Sequence, residues 1–329
     1  MNKRALIFGL CGQDGVYLAK LLSDQGYEVH GTSRDKEMAN TSGLRRIGVL
    51  DDVTIHSAAL LDFRSVLQVI DDVRPDEIYN LAGQSSVGLS FVQPVETFEG
   101  IILGTLNILE CIRFLKLPAR FYNATSGEVF GNTEKPANET MPFQPRSPYG
   151  VAKSTAFWTV ANYRESYGIF ACSGILFNHE SPLRPSRFVT QKIVRGAVDI
   201  AQKKTDQLTL GNLDVSRDWG WAPEYVDAMA RMLRQDAPDD YVVATGVSST
   251  LTGFVEAVFD CLGLRWRAHV ETAAELMRPT DIRVSVGDPA RAKAKLGWSA
   301  STKMPHIVNR LVDAELERRA GKADLRAAQ

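Results

Sequence analysis

Four side chains suited to proton transfer follow one another between Tyr122 and Lys153: a serine, a glutamate, a tyrosine and a lysine. Tyr149 and Lys153 are four residues apart, so a helix that begins at Pro148 places them on one face, one turn from each other. An ordinary tyrosine has a pKa near about 10, and a cation about 4 Å away favours its ionisation by roughly 4 kcal/mol at an effective dielectric constant near 20. We therefore expect Lys153 alone to lower the pKa of Tyr149 enough for proton and hydride transfer at a carbinol carbon.

Ser126 ends an apolar run upstream of this pair, where it can hydrogen-bond the same substrate oxygen and pass on its proton. A tyrosine and a lysine at this spacing also occur by chance as two exposed helix residues. The surrounding elements must decide between the two interpretations.

The composition excludes several classes of protein. The 329 residues are 44% hydrophobic, enough for one large core or two modest ones, and the net charge of -1 predicts neither a nucleic acid nor an anionic membrane as partner. No apolar run reaches the roughly 18 residues of a membrane span, and the first residues lack the cleavage pattern of a secretory signal. The cysteines and histidines lack the spacing of a metal site or a disulfide framework. We expect a cytoplasmic protein without a bound metal.

The chain begins with a strand, a glycine turn and a helix. The apolar run Arg4 to Phe8 leads into Gly9-Leu10-Cys11-Gly12-Gln13-Asp14-Gly15, and a helical pattern follows over Val16 to Asp24. In this order the amide groups of a helix N-terminus can meet a dinucleotide pyrophosphate, and the glycines provide the tight turn, the close approach to phosphate and the helix–strand packing. The turn predicts a dinucleotide site.

The end of the second predicted strand, Tyr27 to Gly31, indicates which dinucleotide binds. Thr32, Ser33 and Arg34 follow it, where an NAD site usually has an acidic residue for the ribose 2′-hydroxyl. Hydroxyl groups and a cation suit a 2′-phosphate, which favours NADP over NAD. Asp35 weakens this preference, because it can neutralise Arg34 or turn back towards the ribose.

Strands and helices alternate through the first half of the chain. Further strands are predicted at Val53 to His56, Glu77 to Leu81, Arg120 to Asn123 and Ile169 to Leu176, and helices at Arg64 to Val73, Phe98 to Phe114 and Pro148 to Tyr167. This is the pattern of an α/β protein with a Rossmann-type doubly wound parallel sheet. Asn80 to Gly83 and Ser126 to Glu128 each leave a strand at the carboxyl edge of that sheet, where we expect the active site.

From Asn178 the alternation ends, and cations appear beside Gly, Pro and Trp residues: Arg184, Arg187, Lys192, Arg195, Arg217 and Arg278. Any single one of them is more often part of a surface salt bridge, but guanidinium groups bind pyrophosphate through paired hydrogen bonds. The set predicts a nucleotide diphosphate held by a smaller C-terminal α/β substrate domain. We assign residues 1–177, with 217–246 returning, to the dinucleotide domain and residues 178–216 and 247–329 to the substrate domain. The last residues, Glu315 to Gln329, are predicted to form a charged helix that frays.

Several motifs together are more distinctive than any one of them: Gly-x-x-Gly-Gln-Asp-Gly at residues 9 to 15, Ser126-x-Glu128, Pro145-Arg146-Ser147-Pro148-Tyr149, Asn178-His179-Glu180-Ser181-Pro182, Leu210-Gly211-Asn212 and Arg217-Asp218-Trp219-Gly220. With them the chain resembles the GDP-mannose 4,6-dehydratases, a family of extended short-chain dehydrogenase/reductase enzymes. The similarity runs from about Ala5 to Trp298.

The resemblance implies roles for individual residues. The catalytic residues are then Ser126, Glu128, Tyr149 and Lys153. Residues expected to bind NADP are Gly9, Gly12, Gln13, Asp14, Gly15, Arg34, Leu60, Leu81, Ala82, Gly83, Gln84, Ser85, Tyr149, Lys153, His179 and Arg184. Residues expected to bind the GDP-sugar are Ser85, Ser126, Glu128, Asn178, Lys192, Leu210, Gly211, Asn212, Arg217, Arg278 and Asp281.

Glu128 distinguishes between the reactions that such a site can run. Oxidation of a sugar at C4 acidifies its C5 proton, and a carboxylate that removes this proton lets water leave from C6 before the hydride returns there. A reductase or an epimerase needs the serine, the tyrosine and the lysine but no base at C5. The resemblance thus implies dehydration of GDP-mannose to GDP-4-keto-6-deoxy-mannose, in deoxysugar biosynthesis.

Three alternatives stay open at this point. One is the same reaction on another GDP-sugar, such as a GDP-heptose. A second is a GDP-4-keto-6-deoxysugar reductase or epimerase, in which Glu128 is an ordinary exposed loop acid. A third, of a different class, is a non-catalytic sensor of NADP or of a nucleotide sugar.

Some positions depart from the family pattern. Leu183 and Gln191 stand in place of arginines, and Ser186 in place of a glutamate, so we expect altered contacts to the hexose. Ala59 replaces an aspartate that often contacts adenine, and Glu96 replaces a tyrosine that lines the cofactor.

The loop from Asp35 to Arg46 also differs from that of tetrameric relatives, in which it reaches a neighbouring subunit. We expect a homo-oligomer, either a dimer or a tetramer.

Overall fold

A seven-stranded parallel sheet forms the centre of the molecule, in a computed structural model that describes residues 2–321. Its strands are β1 (Arg4–Phe8), β2 (Glu28–Ser33), β3 (Val53–Ser57), β4 (Glu77–Asn80), β5 (Arg120–Ser126), β6 (Ala171–Leu176) and β10 (Tyr241–Val243), in the spatial order β10-β6-β5-β4-β1-β2-β3. The remaining strands are β7 (Asn178–Glu180), β8 (Leu208–Leu210), β9 (Ser216–Trp221), β11 (Ser248–Thr250), β12 (Val270–Thr272) and β13 (Val284–Ser285). The predicted doubly wound α/β fold is confirmed.

Helices cover both faces of this sheet and build the rest of the chain. They are α1 (Gln13–Asp24), α2 (Ser42–Arg46), α3 (Phe63–Val73), α4 (Val87–Val92), α5 (Pro94–Phe98), α6 (Gly104–Phe114), α7 (Pro148–Tyr167), α8 (Val189–Ala201), α9 (Ala222–Met232), α10 (Leu251–Cys261) and α11 (Met304–Arg319). Short 3₁₀ turns occupy Leu50–Asp52, Gly127–Phe130, Trp266–Ala268 and Ala274–Leu276, and π-helical turns occupy Glu99–Leu103 and Ala292–Leu296.

The order of the strands determines where a ligand can bind. β1 pairs in register with β2 on one side, Ile7 opposite Gly31, and with β4 on the other, Ile7 opposite Tyr79. The chain therefore changes direction across the sheet between β1 and β4, and the loops that leave these two strands diverge. Such a switch point opens a crevice at the carboxyl edge of the sheet, which is the usual ligand site of this fold.

Two layers of buried apolar side chains, one on each face, hold the helices against the sheet. On one face α1 and α9 pack together and bury Leu18, Leu22 and Met229, and on the other face α3 and α6 bury Ile70 and Ile108. Each such side chain stabilises the fold by about 1.5–3 kcal/mol when fully buried. The crevice is thus built on a rigid base.

A second, smaller sheet carries the other half of the crevice. In it β9 pairs with β11, β13 and β7, while β8 and β12 form a separate parallel pair. α8, α10 and α11 bury a core of their own beside this sheet, including Phe254 and Leu311. β9 (Ser216–Trp221) belongs to the second sheet, whereas β10 is a strand of the first sheet and α9 packs beside α1 on it. The domain boundaries predicted from the sequence stay a prediction.

Two helices differ from the predicted pattern. The helix predicted over Phe98 to Phe114 is interrupted by the π-helical turn Glu99–Leu103. Near the C-terminus, Glu315 is not part of a frayed segment: it lies within α11, is buried, and accepts hydrogen bonds from Arg318 and Arg319. Residues 322–329 of the predicted fraying helix lie outside the described residues.

Within residues 2–321 no helix has the length and apolar character needed to cross a bilayer.

A pair of histidines links β2 to the edge strand β3. His30 Nδ1 lies 2.9 Å from His56 Nε2, and the other nitrogen of His30 lies 3.1 Å from a Glu28 carboxylate oxygen. Burial, and next the neighbouring His30, hold the pKa of His56 below its ordinary value. The folded chain therefore takes up a proton at His56 less readily than the unfolded chain does.

We expect the free energy of unfolding to decrease as the pH falls through about 6.5, the ordinary pKa of histidine, because the unfolded state then binds the extra proton. Urea titrations at pH 7.5 and pH 5.5 measure this difference. A His56→Gln variant lacks the titrating group and should show a smaller difference; an equal difference in both proteins would contradict the assignment to His56.

Candidate active site

A cavity of about 500 Å³ lies at the carboxyl edge of the large sheet, between the two sheets. Its wall includes these residues expected from the sequence to bind or react: Gly9, Gly12, Gln13, Asp14, Gly15, Leu81, Ala82, Gly83, Gln84, Ser85, Ser126, Glu128, Tyr149, Lys153, Asn178, His179, Arg184, Lys192, Leu210, Gly211, Asn212, Arg217, Arg278 and Asp281. Elements from distant parts of the chain therefore converge on one site.

Two expected residues lie outside this wall. Arg34 is exposed at the end of β2, and Leu60 packs its side chain towards Gly104 while its carbonyl accepts a hydrogen bond from Asn107. Both follow strands on the β2–β3 side of the switch point. Their contact with a cofactor stays a prediction.

The glycine turn between β1 and α1 is shaped for a close ligand. Gly9 has φ +90°, and a Cβ on it would lie 2.9 Å from the Ala82 backbone nitrogen. A Cβ on Gly15 would lie 2.3 Å from the Gly9 carbonyl oxygen, so this position packs the helix onto the turn. Gly12 begins α1 without a side-chain cap, which leaves the first amide groups of the helix for a ligand. These features fit the pyrophosphate of a dinucleotide.

Alanine substitutions should separate the two roles of these glycines. A Cβ on Gly12 meets only the Gly9 carbonyl oxygen, at 3.3 Å, and otherwise enters the cavity. We expect Gly12→Ala to change stability by no more than about 0.5 kcal/mol and to weaken dinucleotide binding about tenfold or more. We expect Gly15→Ala to destabilise the protein by about 1–3 kcal/mol through overpacking. Thermal unfolding and calorimetric titration measure the two effects; equal stability losses would contradict the distinction.

Tyr149 and Lys153 lie in the first turns of α7, as predicted. Ser147 caps this helix by accepting a hydrogen bond from Gly150, and Pro148 opens it. The Lys153 ammonium lies 5.8 Å from the centre of the Tyr149 ring and donates a 2.7 Å hydrogen bond to the Ala124 carbonyl. The lysine is therefore tied to the end of β5 beneath the tyrosine.

The prediction that Lys153 alone lowers the pKa of Tyr149 is wrong. Burial raises the pKa of Tyr149 to about 12, although Ser126 and the charge of Arg184 act in the opposite direction. Burial also lowers the pKa of Lys153 to about 8. Desolvation disfavours both charged groups, a cost that a Coulomb energy for two exposed groups does not contain.

Ser126 and Glu128 lie where β5 ends in the turn Gly127–Phe130. The Ser126 hydroxyl accepts a 3.3 Å hydrogen bond from the Glu128 amide, which fixes the turn. Burial raises the pKa of Glu128, and the charges of Arg217 and Arg278 offset part of that effect. A carboxyl group of this kind is suited to exchange a proton with a substrate.

Arg217 and Arg278 approach the cavity from the second sheet. Asp281 accepts hydrogen bonds from both, at 3.1 Å and 3.3 Å, and Arg217 also donates to the Ile282 carbonyl at 2.7 Å. The fully buried Asp218 accepts hydrogen bonds from the amides of Thr245, Gly246 and Gly287, so it joins the loops that support Arg217 on β9. Asp218 thus has a supporting role in this structure.

Leu210 ends β8, and Gly211 and Asn212 follow it on the same side. A Cβ on Gly211 would lie 2.6 Å from the Leu276 carbonyl oxygen, so this turn touches the segment that carries Arg278. The Asn212 side chain accepts a hydrogen bond from Asp214. Leu210, Gly211, Asn212, Leu276 and Arg278 all line the cavity.

Asp14 and His179 connect the glycine turn to the second sheet. His179 Nε2 lies 2.9 Å from Asp14 Oδ2, and Nδ1 lies 2.8 Å from the Phe177 carbonyl oxygen. Gln13 donates to the His179 carbonyl and accepts from the Ser181 hydroxyl. The charge of His179 and its hydrogen bond hold the pKa of Asp14 below its ordinary value, although burial acts more strongly than either in the opposite direction.

Sequence reasoning missed Glu180. Its buried carboxylate accepts a 2.6 Å hydrogen bond from Thr190 and lies 3.6 Å from the Arg184 guanidinium, which stacks 3.9 Å from the centre of the Phe188 ring. Glu180 therefore orients Arg184 towards the cavity. The available signal was an acid within a three-residue strand of otherwise polar sequence, but no periodic pattern marks so short a strand as buried.

Arg187, one of the cations predicted to hold a nucleotide diphosphate, also lines the cavity wall. The wall further includes residues that sequence reasoning did not assign to a site: Ser86, Val87, Ala124, Thr125, Gly127, Leu176, Phe177, Glu180, Pro185, Phe188, Val189, Thr190, Val215, Trp219, Leu251 and Leu276. Most of them are apolar or backbone contacts, which carry no chemical signature in a sequence.

The residues expected to alter the hexose contacts lie elsewhere. Leu183, Ser186 and Gln191 are absent from the cavity wall: Gln191 is buried and donates to the Ser181 carbonyl, and Leu183 lies beside Gly43 and packs against the core that covers α1. None of these three side chains is placed to contact a ligand bound in this cavity directly. Arg184 and Arg187 are the charged residues of that segment that line the wall.

Comparisons with known proteins show the family of the chain. The family model described as GDP-mannose 4,6 dehydratase matches residues 6–311. GDP-mannose 4,6 dehydratase 1 of Arabidopsis thaliana is 44% identical over 96% of this chain and 90% of its own length. GDP-mannose 4,6-dehydratase of Vibrio cholerae is 41% identical over 99% of this chain and 97% of its own length.

Solved structures share the fold across most of the chain. A UDP-glucose 4-epimerase of Thermus thermophilus in complex with NAD has a TM-score of 0.82 at 25% identity, covering 94% of this chain and 98% of its own. DesIV, a dTDP-glucose 4,6-dehydratase of Streptomyces venezuelae, has a TM-score of 0.86 at 20% identity, covering 97% and 98%. The full-length match in sequence and the converging site lead to one assignment: the chain belongs to the GDP-mannose 4,6-dehydratase family.

Proposed function

We propose that this protein converts GDP-mannose to GDP-4-keto-6-deoxy-mannose by internal-redox dehydration. The observation that carries the proposal is the position of Glu128. Its carboxylate lines the same cavity as Ser126 and Tyr149, and its charge acts on the Tyr149 hydroxyl. A reductase or an epimerase has no use for a base there, whereas a dehydratase needs one for the C5 proton.

Each catalytic side chain has one task. Tyr149 takes the proton of the C4 hydroxyl, and Ser126, which lies on the same cavity wall, holds the same oxygen. Glu128 takes the C5 proton and passes it to the C6 hydroxyl, which leaves as water. C5 regains a proton when the hydride adds to C6, which balances the proton that Tyr149 took from the C4 hydroxyl. A nicotinamide dinucleotide held by the glycine turn from Gly9 to Gly15 would supply the redox chemistry, as a temporary store for the hydride that moves from C4 to C6. No net oxidation results, so the cofactor is needed only in catalytic amount.

We propose NADP as that dinucleotide. The relatives with solved structures include one complexed with NADPH, RMD of Pseudomonas aeruginosa, and several with NAD. Within this chain, the support for NADP is the exposed Arg34 directly after β2, beside the hydroxyl groups of Thr32 and Ser33. A cation and hydroxyls suit a 2′-phosphate and offer nothing specific to a 2′-hydroxyl.

The cations of the second half support a GDP moiety. Lys192, Arg217 and Arg278 line the cavity, and Arg217 and Arg278 share a single carboxylate, Asp281. Two guanidinium groups against one carboxylate leave an excess of positive charge, which a diphosphate can neutralise. The base and the sugar are assigned by family membership.

The decisive test is incubation of the purified protein with GDP-mannose and a catalytic amount of NADP, followed by mass spectrometry. We expect a product lighter by one water, with no net reduction of the cofactor. An unchanged substrate would overturn GDP-mannose as substrate and turn the search to other GDP-sugars. A need for one NADPH per turnover would overturn internal redox and indicate a reductase.

We also propose that the chain acts as a homo-oligomer. Exposed apolar side chains gather on α5, the following π-helical turn and α7, which pack against one another: Val95, Leu103, Val151 and Trp158. Val151 and Trp158 are seven residues apart and so share one face of α7. A second copy that buries this face is the simplest partner, and sedimentation velocity measures it; a monomer at micromolar concentration would contradict the proposal.

We propose a cytoplasmic location for the protein. Its four cysteines, Cys11, Cys111, Cys172 and Cys261, are free thiols in this structure. Thiols that stay reduced suit the reducing compartment of a cell, and cell fractionation would test the location.

A further inference from the structure

The π-helical turn Glu99–Leu103 joins α5 to α6 and packs against the catalytic helix α7. Its residue Ile101 is buried and belongs to the apolar cluster that also contains Tyr149, Ala152 and Ala156. In such a turn each carbonyl pairs with the amide five residues later, and π-helical turns are frequent at functional sites. This turn thus contributes an apolar side chain to the packing of the tyrosine that faces the cavity.

Thr105, four residues after Ile101, holds this turn through its hydroxyl group. The hydroxyl donates a 2.7 Å hydrogen bond to the Ile101 carbonyl oxygen and accepts a 3.1 Å hydrogen bond from the side-chain amide of Asn80. The same Asn80 amide donates to the side-chain oxygen of Asn123 at 3.0 Å. Because a carbonyl only accepts hydrogen bonds, the contact with Ile101 determines the direction of each bond in this series.

The three polar side chains of this network are enclosed by the fold. Thr105, Asn80 and Asn123 are all buried, and none of them lines the cavity. Of their side-chain atoms, Asn80 Oδ1 alone lacks a hydrogen-bond partner among residues 2–321. Hydrogen bonds are stronger in such surroundings than in water, and a buried network makes the elements that carry it more rigid. The network therefore acts on the site through its neighbours.

The network also connects the ends of two strands that carry the site. Asn80 ends β4 and pairs in register with Asn123 of β5. The residue after Asn123 is Ala124, whose carbonyl accepts the 2.7 Å hydrogen bond from the Lys153 ammonium. One series of hydrogen bonds thus connects the π-helical turn beside Tyr149 with the strand end that holds Lys153.

We propose that Thr105 is a positioning residue for the catalytic pair: its hydroxyl fixes the π-helical turn relative to β5, so that Tyr149 and Lys153 keep one geometry towards the substrate. Thr105 touches no ligand and acts through Ile101 and the two asparagines. The inference rests on the proposed function, because it concerns oxidation at C4 by the pair that Thr105 holds.

Replacement of Thr105 by valine and by serine separates this role from simple packing. Valine keeps the branched shape and loses the hydroxyl, whereas serine keeps the hydroxyl and loses the methyl group. With GDP-mannose and NADP⁺, we expect the single-turnover rate of cofactor reduction, measured by absorbance at 340 nm, to fall about tenfold to a hundredfold in Thr105→Val, as small displacements of reacting groups do. Thr105→Ser should retain most of the rate, and calorimetric titration should give both variants nearly the wild-type affinity for NADP⁺.

Two results of this comparison would overturn the proposal. One is a wild-type single-turnover rate in Thr105→Val, below its unfolding transition, even if its thermal stability is lower; that result would leave Thr105 a structural role only. The other is a serine variant that loses as much of the rate as the valine variant, since the methyl group would then be the part that matters.

Carbon-13 NMR of tyrosine-labelled protein without ligands tests the positioning independently of the reaction. The ring signals of Tyr149, assigned with a Tyr149→Phe variant, should shift or broaden in Thr105→Val and stay as in the wild type in Thr105→Ser. Unchanged Tyr149 signals in Thr105→Val would overturn the proposal.

Ile101→Val provides a second variant in case Thr105→Val does not fold. It keeps every hydrogen bond of the network and removes one methyl group from the cluster around Tyr149, so we expect the Tyr149 signals to shift; unchanged signals would overturn the proposal. A wild-type protein that gives no 340 nm signal with GDP-mannose would overturn the proposed function, and the NMR comparison would still decide the role of Thr105.

Discussion

Replacement of Glu128 by glutamine should abolish loss of water from the substrate while dinucleotide affinity stays unchanged. Glutamine has nearly the same shape, so the turn held by Ser126 and the Glu128 amide can persist. What disappears is the only group expected to remove the C5 proton. A positioned general base contributes about 10²–10⁴-fold to a rate, and we expect a loss of that order in product formation measured by mass spectrometry.

The pH dependence of this step has a defined sign. Burial raises the pKa of Glu128, and the base must be ionised to accept a proton, so the wild-type rate should fall as the pH drops through that raised value. A general-base residue with an ordinary pKa would lose activity only at lower pH.

A matched control is Glu134→Gln, an exposed acid shortly after the same turn, which should leave the rate unchanged. Calorimetric titration with NADP⁺ shows whether the Glu128→Gln variant is folded and binds cofactor. Undiminished turnover in that variant would remove Glu128 from the mechanism and leave the reductase or epimerase alternatives in its place.

Local sequence signals were sufficient for the elements that hold the catalytic pair. α7 runs from Pro148 to Tyr167, the predicted bounds, because a serine cap and a proline start it and Gly168 ends it with φ +66°. The glycine turn was equally readable, since both the positive φ of Gly9 and the close packing of Gly15 require a residue without a side chain. In these places the type of a single residue determines the local backbone conformation.

The electrostatics of the site could not be read in the same way. The sequence places a lysine one turn from Tyr149, but not the Ala124 carbonyl that binds its ammonium or the burial that raises the tyrosine pKa. Both depend on β5 lying beneath α7, a contact between distant segments. The same limit applies to Leu183 and Gln191, whose side chains turn away from the cavity because neighbouring chain segments bury them.

Replacement of Tyr149 by phenylalanine should stop the reaction before any water is lost. In the proposed mechanism the phenol accepts the C4 hydroxyl proton, so without it we expect no oxidation of the alcohol. We expect the rate of product formation to fall by about 10²–10⁴-fold. Rapid-mixing absorbance at 340 nm, which detects reduced cofactor in a single turnover, should show no signal in this variant.

The raised pKa of Tyr149 adds a test in the protein without ligands. Because burial raises that pKa to about 12, the phenol should stay protonated at neutral pH until the substrate and the oxidised cofactor bind. An ultraviolet difference titration between wild type and Tyr149→Phe should therefore show no tyrosinate from this residue below about pH 10, two units under that pKa. Ionisation near pH 7 in the free protein would restore the simpler mechanism, in which the lysine alone activates the phenol.

Tyr163→Phe is the matched control for the loss of a phenol from the same helix. Tyr163 lies on α7 outside the cavity and donates its hydroxyl to Glu110 at 2.5 Å. Its removal should cost some stability, since Glu110 loses a hydrogen bond, but should leave single-turnover reduction of the cofactor intact. If both variants lost the 340 nm signal, the defect would lie in the packing of α7; if only Tyr149→Phe lost it, the phenol at the cavity wall is the base.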